Sequence, residues 1–139
     1  VFVGIQIVDR NESLKLVKTL LQHGYPTLDL TEDEMAKNHV RHMVGGHAPQ
    51  VCEQGMSELL YRFEFPERPG ALMNFLTRMS AGWNISLFHY RNHGADYGRV
   101  LVGMQVPPGD MGQFREFLKN LGYAHWDESK NPAYKLFLG

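Results

Sequence analysis

The order of apolar patterns between residues 59 and 127 constrains the fold of this chain more than any other feature of its sequence. Residues 59–65 alternate apolar and polar side chains, which is typical of a strand with one buried face. The following segment has apolar residues three and four positions apart, as on one face of a helix: Leu72, Phe75, Leu76 and Met79. Pro69 suits the first helical position and Gly82 the end, so a strand followed by a helix is predicted here.

The rest of this segment repeats the change from strand to helix patterns. Residues 84–91 and 99–106 are predicted strands, and the polar connection 92–98 predicts a hairpin between them. The second of these strands has four apolar residues on one face: Val100, Val102, Met104 and Val106. A helical stripe follows, with a glycine at its end: Phe114, Phe117, Leu118, Leu121 and Gly122. Asp110 and Gln113 have the spacing of a capping box at the start of that helix.

A short predicted strand over residues 123–127 completes the order β-α-β-β-α-β. This order is the ferredoxin-like arrangement of the α+β class. One more strand is predicted over residues 133–138, after the unit is complete.

The chain also resembles itself at an offset of 98 or 99 residues, which indicates an internal duplication. The segments matched at this offset are 2–7 with 101–106, 20–25 with 118–123 and Asp29 with Asp127. A weaker match, of 37–44 with 130–137, follows in the same order at an offset of 93. Collinear matches favour duplication over a chance likeness between strand and helix sequences.

The duplication predicts that only the second half of the first unit is present. That half holds a predicted strand over 1–8, a helix over 11–23, a strand over 25–30 and a terminal strand near 39–44. The predicted boundaries are 1–46 for the truncated first unit, 47–58 for a linker and 59–139 for the complete second unit. We expect the parent chain to extend before Val1, and the exposed strand edge at 1–8 to promote self-association.

Composition argues against several classes of function. The 139 residues carry a formal net charge of -1, so no basic excess favours binding to nucleic acid. The only cysteine, Cys52, allows neither an intrachain disulfide nor a cysteine-rich zinc site. No apolar run approaches the ~20 residues that a membrane-spanning helix needs.

Histidines and other residues that act in catalysis or bind metals are present, but not at the spacing of a known catalytic or metal-binding motif. The histidines form two groups, His39, His42 and His47 in one and His89 and His93 in the other. No His-Glu-x-x-His motif or cysteine partner accompanies them, so we interpret them as solvent-facing or hydrogen-bonded side chains. No Gly-x-Ser-x-Gly turn or glycine-rich nucleotide loop occurs, and we expect no catalytic or metal site in this chain.

The junction between the first strand and the first helix of the complete unit is the best candidate for a binding site. Gly70 lets the backbone approach a ligand closely, and the N–H groups of the helix start favour a carboxylate. The predicted topology brings His89, Tyr90 and Arg91 beside this junction, where Arg91 can pair with a carboxylate and Tyr90 can orient an amine. A small amino acid would fit there. The alternative is a plain helix start with an exposed ion pair between Glu67 and Arg91.

The sequence at this junction resembles the ACT domain, a regulatory module that binds amino acids. The resemblance is closer still to the C-terminal regulatory region of biosynthetic threonine deaminases, also called threonine dehydratases. It rests on FEFPERPGAL at 63–72, WNISLFHYR at 83–91 and DYGRV at 96–100. It extends to DEMA at 33–36, VRHMVGG at 40–46 and the ending that starts with NPA at 131–133.

This resemblance implies two ACT-like units and a separate N-terminal domain that uses pyridoxal phosphate to convert threonine to 2-oxobutanoate and ammonia. It also implies isoleucine as feedback inhibitor, valine as antagonist, and a cytoplasmic tetramer in which this chain contacts the catalytic domain and other subunits. The chain itself would be catalytically inert and hold no cofactor. A regulatory module of another amino-acid enzyme and a small stand-alone ferredoxin-like protein are the alternatives.

The resemblance further implies which residues bind the effector. The helix side chains of this set are expected to contact the aliphatic branch, and Arg91 with the helix start to hold the carboxylate. The predicted effector-binding residues are Arg41, Glu67, Gly70, Ala71, Leu72, Leu76, Met79, Tyr90 and Arg91.

Overall fold

The computed structural model describes residues 4–40, 57–92 and 94–138. In these ranges the helices are α1 (Arg10–Gln22), α2 (Glu34–Asn38), α3 (Ala71–Arg78), α4 (Met111–Leu121) and α5 (Pro132–Phe137). The strands are β1 (Ser57–Pro66), β2 (Asn84–Arg91), β3 (Tyr97–Val106) and β4 (Ala124–Asp127), and a 3₁₀ turn (Pro108–Asp110) precedes α4.

The strands form one antiparallel sheet in the order β2-β3-β1-β4. The central strands β1 and β3 pair along their whole length, from Ser57 opposite Val106 to Pro66 opposite Tyr97. Helix α3 connects β1 to β2, and α4 connects β3 to β4. The predicted β-α-β-β-α-β order and the α+β class are therefore confirmed.

Helices α3 and α4 contribute to the main hydrophobic core, which lies on one face of the sheet. Phe63 of β1, Phe75 of α3 and Phe114 of α4 are fully buried in it. The apolar residues predicted for one face of β3 and for the stripe of α4 are buried there too: Val100, Val102, Met104, Val106, Phe117, Leu118 and Leu121. The rings of Phe63 and Phe75 meet edge to face, with centroids 5.3 Å apart. Alternation in the strands and the stripe of α4 thus predicted this core correctly.

Helix α3 buries a different face from the predicted one. Ala71 and Phe75 are buried in the core, whereas 46% of Leu72 and 42% of Leu76 are exposed. Successive residues of a helix point about 100° apart, so a helix that packs along the Ala71–Phe75 line turns the next positions outward. Met79 follows the helix and packs, partly buried, against the core. The predicted apolar stripe is therefore wrong for its two leucines.

The predicted capping box of α4 does not form. Asp110 precedes the helix but accepts no hydrogen bond from it through its side chain. Its Oδ2 atom instead accepts a hydrogen bond from Nε1 of Trp83 at 3.0 Å, because the buried indole needs an acceptor. The end of the helix is as predicted: Gly122 has a φ of 71°, which suits glycine.

The opposite face of the sheet is also covered, by segments that are distant in sequence. Leu60 of β1 and Leu101 of β3 are fully buried there with Met35 and Ala36 of α2 and Ala133 of α5. The prediction that β1 has only one buried face is therefore wrong. Strand alternation could not show this, because the covering residues come from the two ends of the chain.

The N-terminal segment agrees with the prediction only in its helix. Helix α1 matches the helix predicted over 11–23, and Oδ1 of Asp9 caps it by accepting a hydrogen bond from the Glu12 N–H at 2.9 Å. The strands predicted at 1–8 and 25–30 are wrong for the described residues, since 4–8 and 25–30 form none. Residues 39 and 40 of the predicted strand 39–44 follow α2, and the rest of it lies outside the described residues.

The strand predicted over residues 133–138 is also wrong, because this segment forms helix α5. Asn131 Oδ1 accepts a hydrogen bond from the Ala133 N–H at 2.8 Å, which is a helix N-cap. Pro132 occupies the first helical position, where a backbone N–H would have no partner within the helix, so its absence costs no hydrogen bond. The Asn-Pro pair is the signal for this helix, and the apolar alternation after it is too short to outweigh it.

The duplication offset appears in the turns that precede the two short helices. Asp29 Oδ1 accepts a hydrogen bond from the Thr31 N–H at 2.9 Å. After 98 residues, Asp127 Oδ1 accepts one from the Ser129 N–H, also at 2.9 Å. Equivalent residues therefore build the same turn, which supports a duplication.

The caps of α2 and α5 show the same offset and contact each other. Asp33 caps α2 and Asn131 caps α5. Nδ2 of Asn131 donates to Oδ1 of Asp33 at 3.2 Å, across a sequence separation of 98. The unit boundaries at 46–47 and 58–59 stay a prediction, because residues 41–56 lie outside the described part of the chain.

Candidate functional site

The start of α3 is a helix end without a side-chain cap. β1 ends at Pro66, and a turn leads to Gly70, whose φ of 86° is a conformation that favours glycine. The helix begins at Ala71, rather than at the predicted Pro69, because Gly70 rather than the proline holds the N-cap position. Gly70 has no side chain that could accept a hydrogen bond from the first turn of α3. The Ala71 N–H donates to the carbonyl oxygen of Arg68 at 3.4 Å, and the N–H groups that follow it in this turn can bind an anion.

A hydrogen bond between Glu67 and Tyr90 joins this turn to β2. The Tyr90 hydroxyl donates to Oε1 of Glu67, and this bond raises the pKa of Tyr90. The Glu67 N–H donates to the carbonyl oxygen of Asp96 at 2.8 Å, which ties the same turn to the residue before β3. Tyr90 remains 48% exposed. The structure therefore brings Glu67 and Tyr90 together, beside Gly70 and Ala71, as the sequence predicted.

Arg91 does not join this group, because side chains of a strand alternate between faces. Tyr90 pairs with Val100, which belongs to the main core, so the next residue points to the opposite face. The Nη1 atom of Arg91 is buried there without a hydrogen-bond partner among the described residues. The alternative Glu67–Arg91 ion pair is absent from the described part of the chain, where Glu67 instead accepts from Tyr90. The expectation that Arg91 and the α3 start hold one carboxylate is therefore wrong.

A buried pair of histidines lies on the same face as Arg91. Nδ1 of His39, after α2, is 2.6 Å from Nδ1 of His89 on β2, and the rings meet edge to face with centroids 4.9 Å apart. His39 is fully buried, and its Nε2 has no partner among the described residues. At this distance one ring donates a proton and the other accepts it, which requires the accepting ring to be neutral.

The surroundings of this pair hold both histidines in the neutral form. Burial, followed by the charges of His89 and of Arg62, Arg91 and Arg99, lowers the pKa of His39 to about 3. Burial also lowers the pKa of His89. The sequence allowed hydrogen-bonded histidines but could not pair these two, because they are 50 residues apart. His42, His47 and His93 lie outside the described residues.

The remaining predicted site residues lie in three places: at the surface of α3, against the core and outside the described residues. Leu72 and Leu76 present apolar surface on the outside of α3, two and six residues after its glycine cap. Met79 packs against the core instead. Arg41 lies outside the described residues.

Metal and cofactor sites find no support in the described residues. No group of three or more His, Cys, Asp or Glu side chains in these ranges could hold a metal ion. The lysines there do not fit pyridoxal phosphate, which needs an enclosed amine: all are exposed except Lys37, which is half-buried and pairs with Glu34 at 2.8 Å. No helix in these ranges has both the length and the apolar character to cross a membrane.

Comparison with known proteins identifies the family. The family described as the C-terminal regulatory domain of threonine dehydratase matches residues 52–138. A biosynthetic L-threonine dehydratase of Burkholderia multivorans is 56% identical over 99% of this chain and 26% of its own length. The corresponding Escherichia coli protein is 47% identical over 99% of this chain and 26% of its own length. The mitochondrial threonine dehydratase of Saccharomyces cerevisiae is 44% identical over 99% of this chain and 23% of its own length.

The chain spans about a quarter of the length of these relatives. The family match covers more than half of it and includes all of the sheet and both core helices. The chain therefore belongs to the family of C-terminal regulatory domains of threonine dehydratase.

Proposed function

We propose that this chain is the effector-binding segment of a biosynthetic threonine dehydratase, with isoleucine as feedback inhibitor and valine as antagonist. The family match and the relatives' names support the enzyme, and the geometry around the start of α3 supports binding of an amino acid. The catalytic part of that enzyme would use pyridoxal phosphate to convert threonine to 2-oxobutanoate and ammonia. This chain would contact that part and other subunits of a cytoplasmic tetramer, without catalytic activity of its own.

The observation that carries the proposal is the acidic and apolar surface beside an uncapped helix start. The N–H groups of the first turn of α3 suit the effector carboxylate, and Glu67 suits its ammonium group. Leu72 and Leu76 offer exposed apolar surface for the aliphatic side chain. Arg91 is not part of this contact set, because it lies on the other face of the sheet.

The difference between isoleucine and valine is one methylene group. One methylene group changes the free energy of binding to an apolar surface by only about 1–3 kcal/mol. The size of the side chain alone therefore separates the affinities of isoleucine and valine only modestly. Opposite effects on activity therefore require that the two effectors prefer different conformational states of the enzyme.

Leucine truncations on α3 test this site in the full-length dehydratase that carries the chain. Leu72→Ala and Leu76→Ala should each raise the isoleucine concentration for half-maximal inhibition about fivefold, because each removes apolar contact with the effector. Leu14→Ala is the matched control, since Leu14 is an exposed leucine of α1. If all three variants respond to isoleucine alike, the effector does not bind beside α3.

Calorimetric titration separates this function from that of a regulatory module for another amino acid. Isoleucine, valine, serine and phenylalanine are each titrated into the full-length enzyme. The proposal expects heat of binding for isoleucine and valine only. Binding of serine or phenylalanine instead would contradict the assignment of the effector.

A further inference from the structure

Gly98 is a buried residue near the start of β3 whose backbone does not require glycine. It lies opposite Phe65 in the sheet, and its φ is outside the left-handed region that favours glycine. Gly70, in contrast, needs its residue type for its φ of 86°. A different property must therefore make a side chain unfavourable at position 98.

That property is the space above the Cα atom of Gly98, which Tyr90 and Glu67 already fill. A Cβ atom at this position would lie 2.5 Å from Oε1 of Glu67 and 2.9 Å from Cζ of Tyr90. Both distances are shorter than real Cβ contacts. The missing side chain thus leaves the room in which the phenol and the carboxylate meet.

The atoms in the way are the ends of flexible, solvent-accessible side chains. Tyr90 is 48% exposed and Glu67 is exposed as well. A methyl group at position 98 would therefore push the two groups outward rather than disrupt the strands. At Gly103 of the same strand a Cβ would lie 2.6 Å from Oγ of Ser86 and 3.1 Å from Cβ of Leu87, so part of the obstruction there is an atom bonded to the backbone.

We propose that Gly98 is a positioning residue of the effector site, which holds Tyr90 and Glu67 together by leaving their meeting point free of side-chain atoms. This inference rests on the function proposed above. Gly98 touches no effector itself and acts through the two side chains that pack on it. Replacing it should change the response to isoleucine more than it changes the stability of the fold.

The first test is Gly98→Ala in the full-length dehydratase. The isoleucine concentration for half-maximal inhibition should rise about threefold or more, because a hydrogen bond to a charged group is weakened at a partly exposed site. Gly112→Ala is the matched control, since a Cβ at Gly112 meets nothing within 4 Å. An unchanged response in Gly98→Ala, with Tyr90→Ala impaired, would overturn the positioning role and leave the proposed effector site standing.

A double variant shows whether Gly98 acts through Tyr90. Once Tyr90→Ala has removed the ring, adding Gly98→Ala should change the isoleucine response by less than about 1.5-fold, because coupled residues are not additive. A second full-sized loss would overturn the inference. The double variant should fold, because the Tyr90 ring that would meet the added methyl group is gone. A double variant that does not fold would therefore also overturn the inference. If Tyr90→Ala and Gly98→Ala both respond as the unmodified enzyme does, the proposed site itself is wrong.

Discussion

Two glycines near the start of α3 are needed for different physical reasons. Gly70 adopts a φ of 86°, and nothing lies within 4 Å of a Cβ added to it, so its requirement is conformational. Gly98 has an ordinary φ but no free space, so its requirement is steric. The sequence showed Gly70 as part of a helix-start motif. It could not show Gly98 as a neighbour of Glu67 and Tyr90, which are 31 and 8 residues away in the chain.

Gly70→Ala tests the conformational requirement. The substitution should lower the free energy of unfolding by about 1–2 kcal/mol, because an alanine in the left-handed region places its Cβ too close to the carbonyl oxygen. Urea denaturation measures the change. Gly112→Ala, in the first turn of α4, should not lower the free energy of unfolding, because alanine favours the helix more than glycine does. Equal stability of both variants would contradict the strain at Gly70.

At the scale of elements, the order of strands and helices was predictable from the sequence. Which face of α3 is buried, and that the second face of the sheet is covered, was not. Periods of two and of three to four residues gave β1, β2, β3, α1 and α4 close to their observed bounds. The errors fall on short segments, where few residues define a period: residues 4–8 and 25–30 form no strand, α5 was predicted as a strand, and α2 was not predicted. In α2 and α5 the capping residues decide the structure, and both helices are fixed by packing against a sheet that is remote in sequence.

The histidine pair that holds the α2 segment against β2 predicts how stability depends on pH. The pKa of His39 is about 3 in the folded chain, against its ordinary value of 6.5. The unfolded chain therefore binds more protons below pH 6.5, and the free energy of unfolding falls as the pH decreases through this range. Between pH 6.5 and 5 the loss should be about 1 kcal/mol per pH unit. The charges of Arg62, Arg91 and Arg99 add to the effect of burial on His39, and Glu128 forms an ion pair with Arg62 at 3.1 Å.

Urea denaturation at pH 7, 6 and 5 measures this dependence. His39→Leu should make the free energy of unfolding less sensitive to pH in this window, whereas the exposed His23→Gln should not. Hydrogen bonds from Thr31 lower the pKa of Asp29 to about 2. Asp29 therefore titrates below the range from pH 7 to pH 5. A slope that His39→Leu leaves unchanged would show that the buried pair does not set the pH dependence.

At the scale of the whole molecule, the sheet depends on both ends of the chain. Met35 and Ala36 from before β1 and Ala133 from after β4 cover Leu60 and Leu101. The segment predicted as the truncated first unit therefore contributes to the core of the second. The hydrogen bond between Asp33 and Asn131 fixes the two covering helices to each other.

Truncation tests this dependence. A chain limited to residues 57–139 should unfold at a lower temperature than residues 1–139 and bind more of a hydrophobic dye, because Leu60 and Leu101 become exposed. A chain that starts at residue 8 keeps the Asp9 cap, α1 and α2 and should behave as the longer one does. Thermal unfolding and dye fluorescence compare the three. Equal results for residues 57–139 and 1–139 would mean that α2 adds nothing to the core.

The sequence by itself determined the sheet, its two core helices and the chemistry available at the start of α3, because these depend on local periodicity and on residues close in the chain. Only the tertiary structure decided which of those residues meet. Alternation along β2 already implied that Tyr90 and Arg91 point to opposite faces, but only the packing shows which face each of them occupies. The rotation of α3 turned Leu72 and Leu76 outward, and packing of α2 and α5 against the sheet buried Leu60. These outcomes depend on which faces of the sheet are covered and by what. Contacts between segments remote in sequence set that coverage, and local patterns do not encode it.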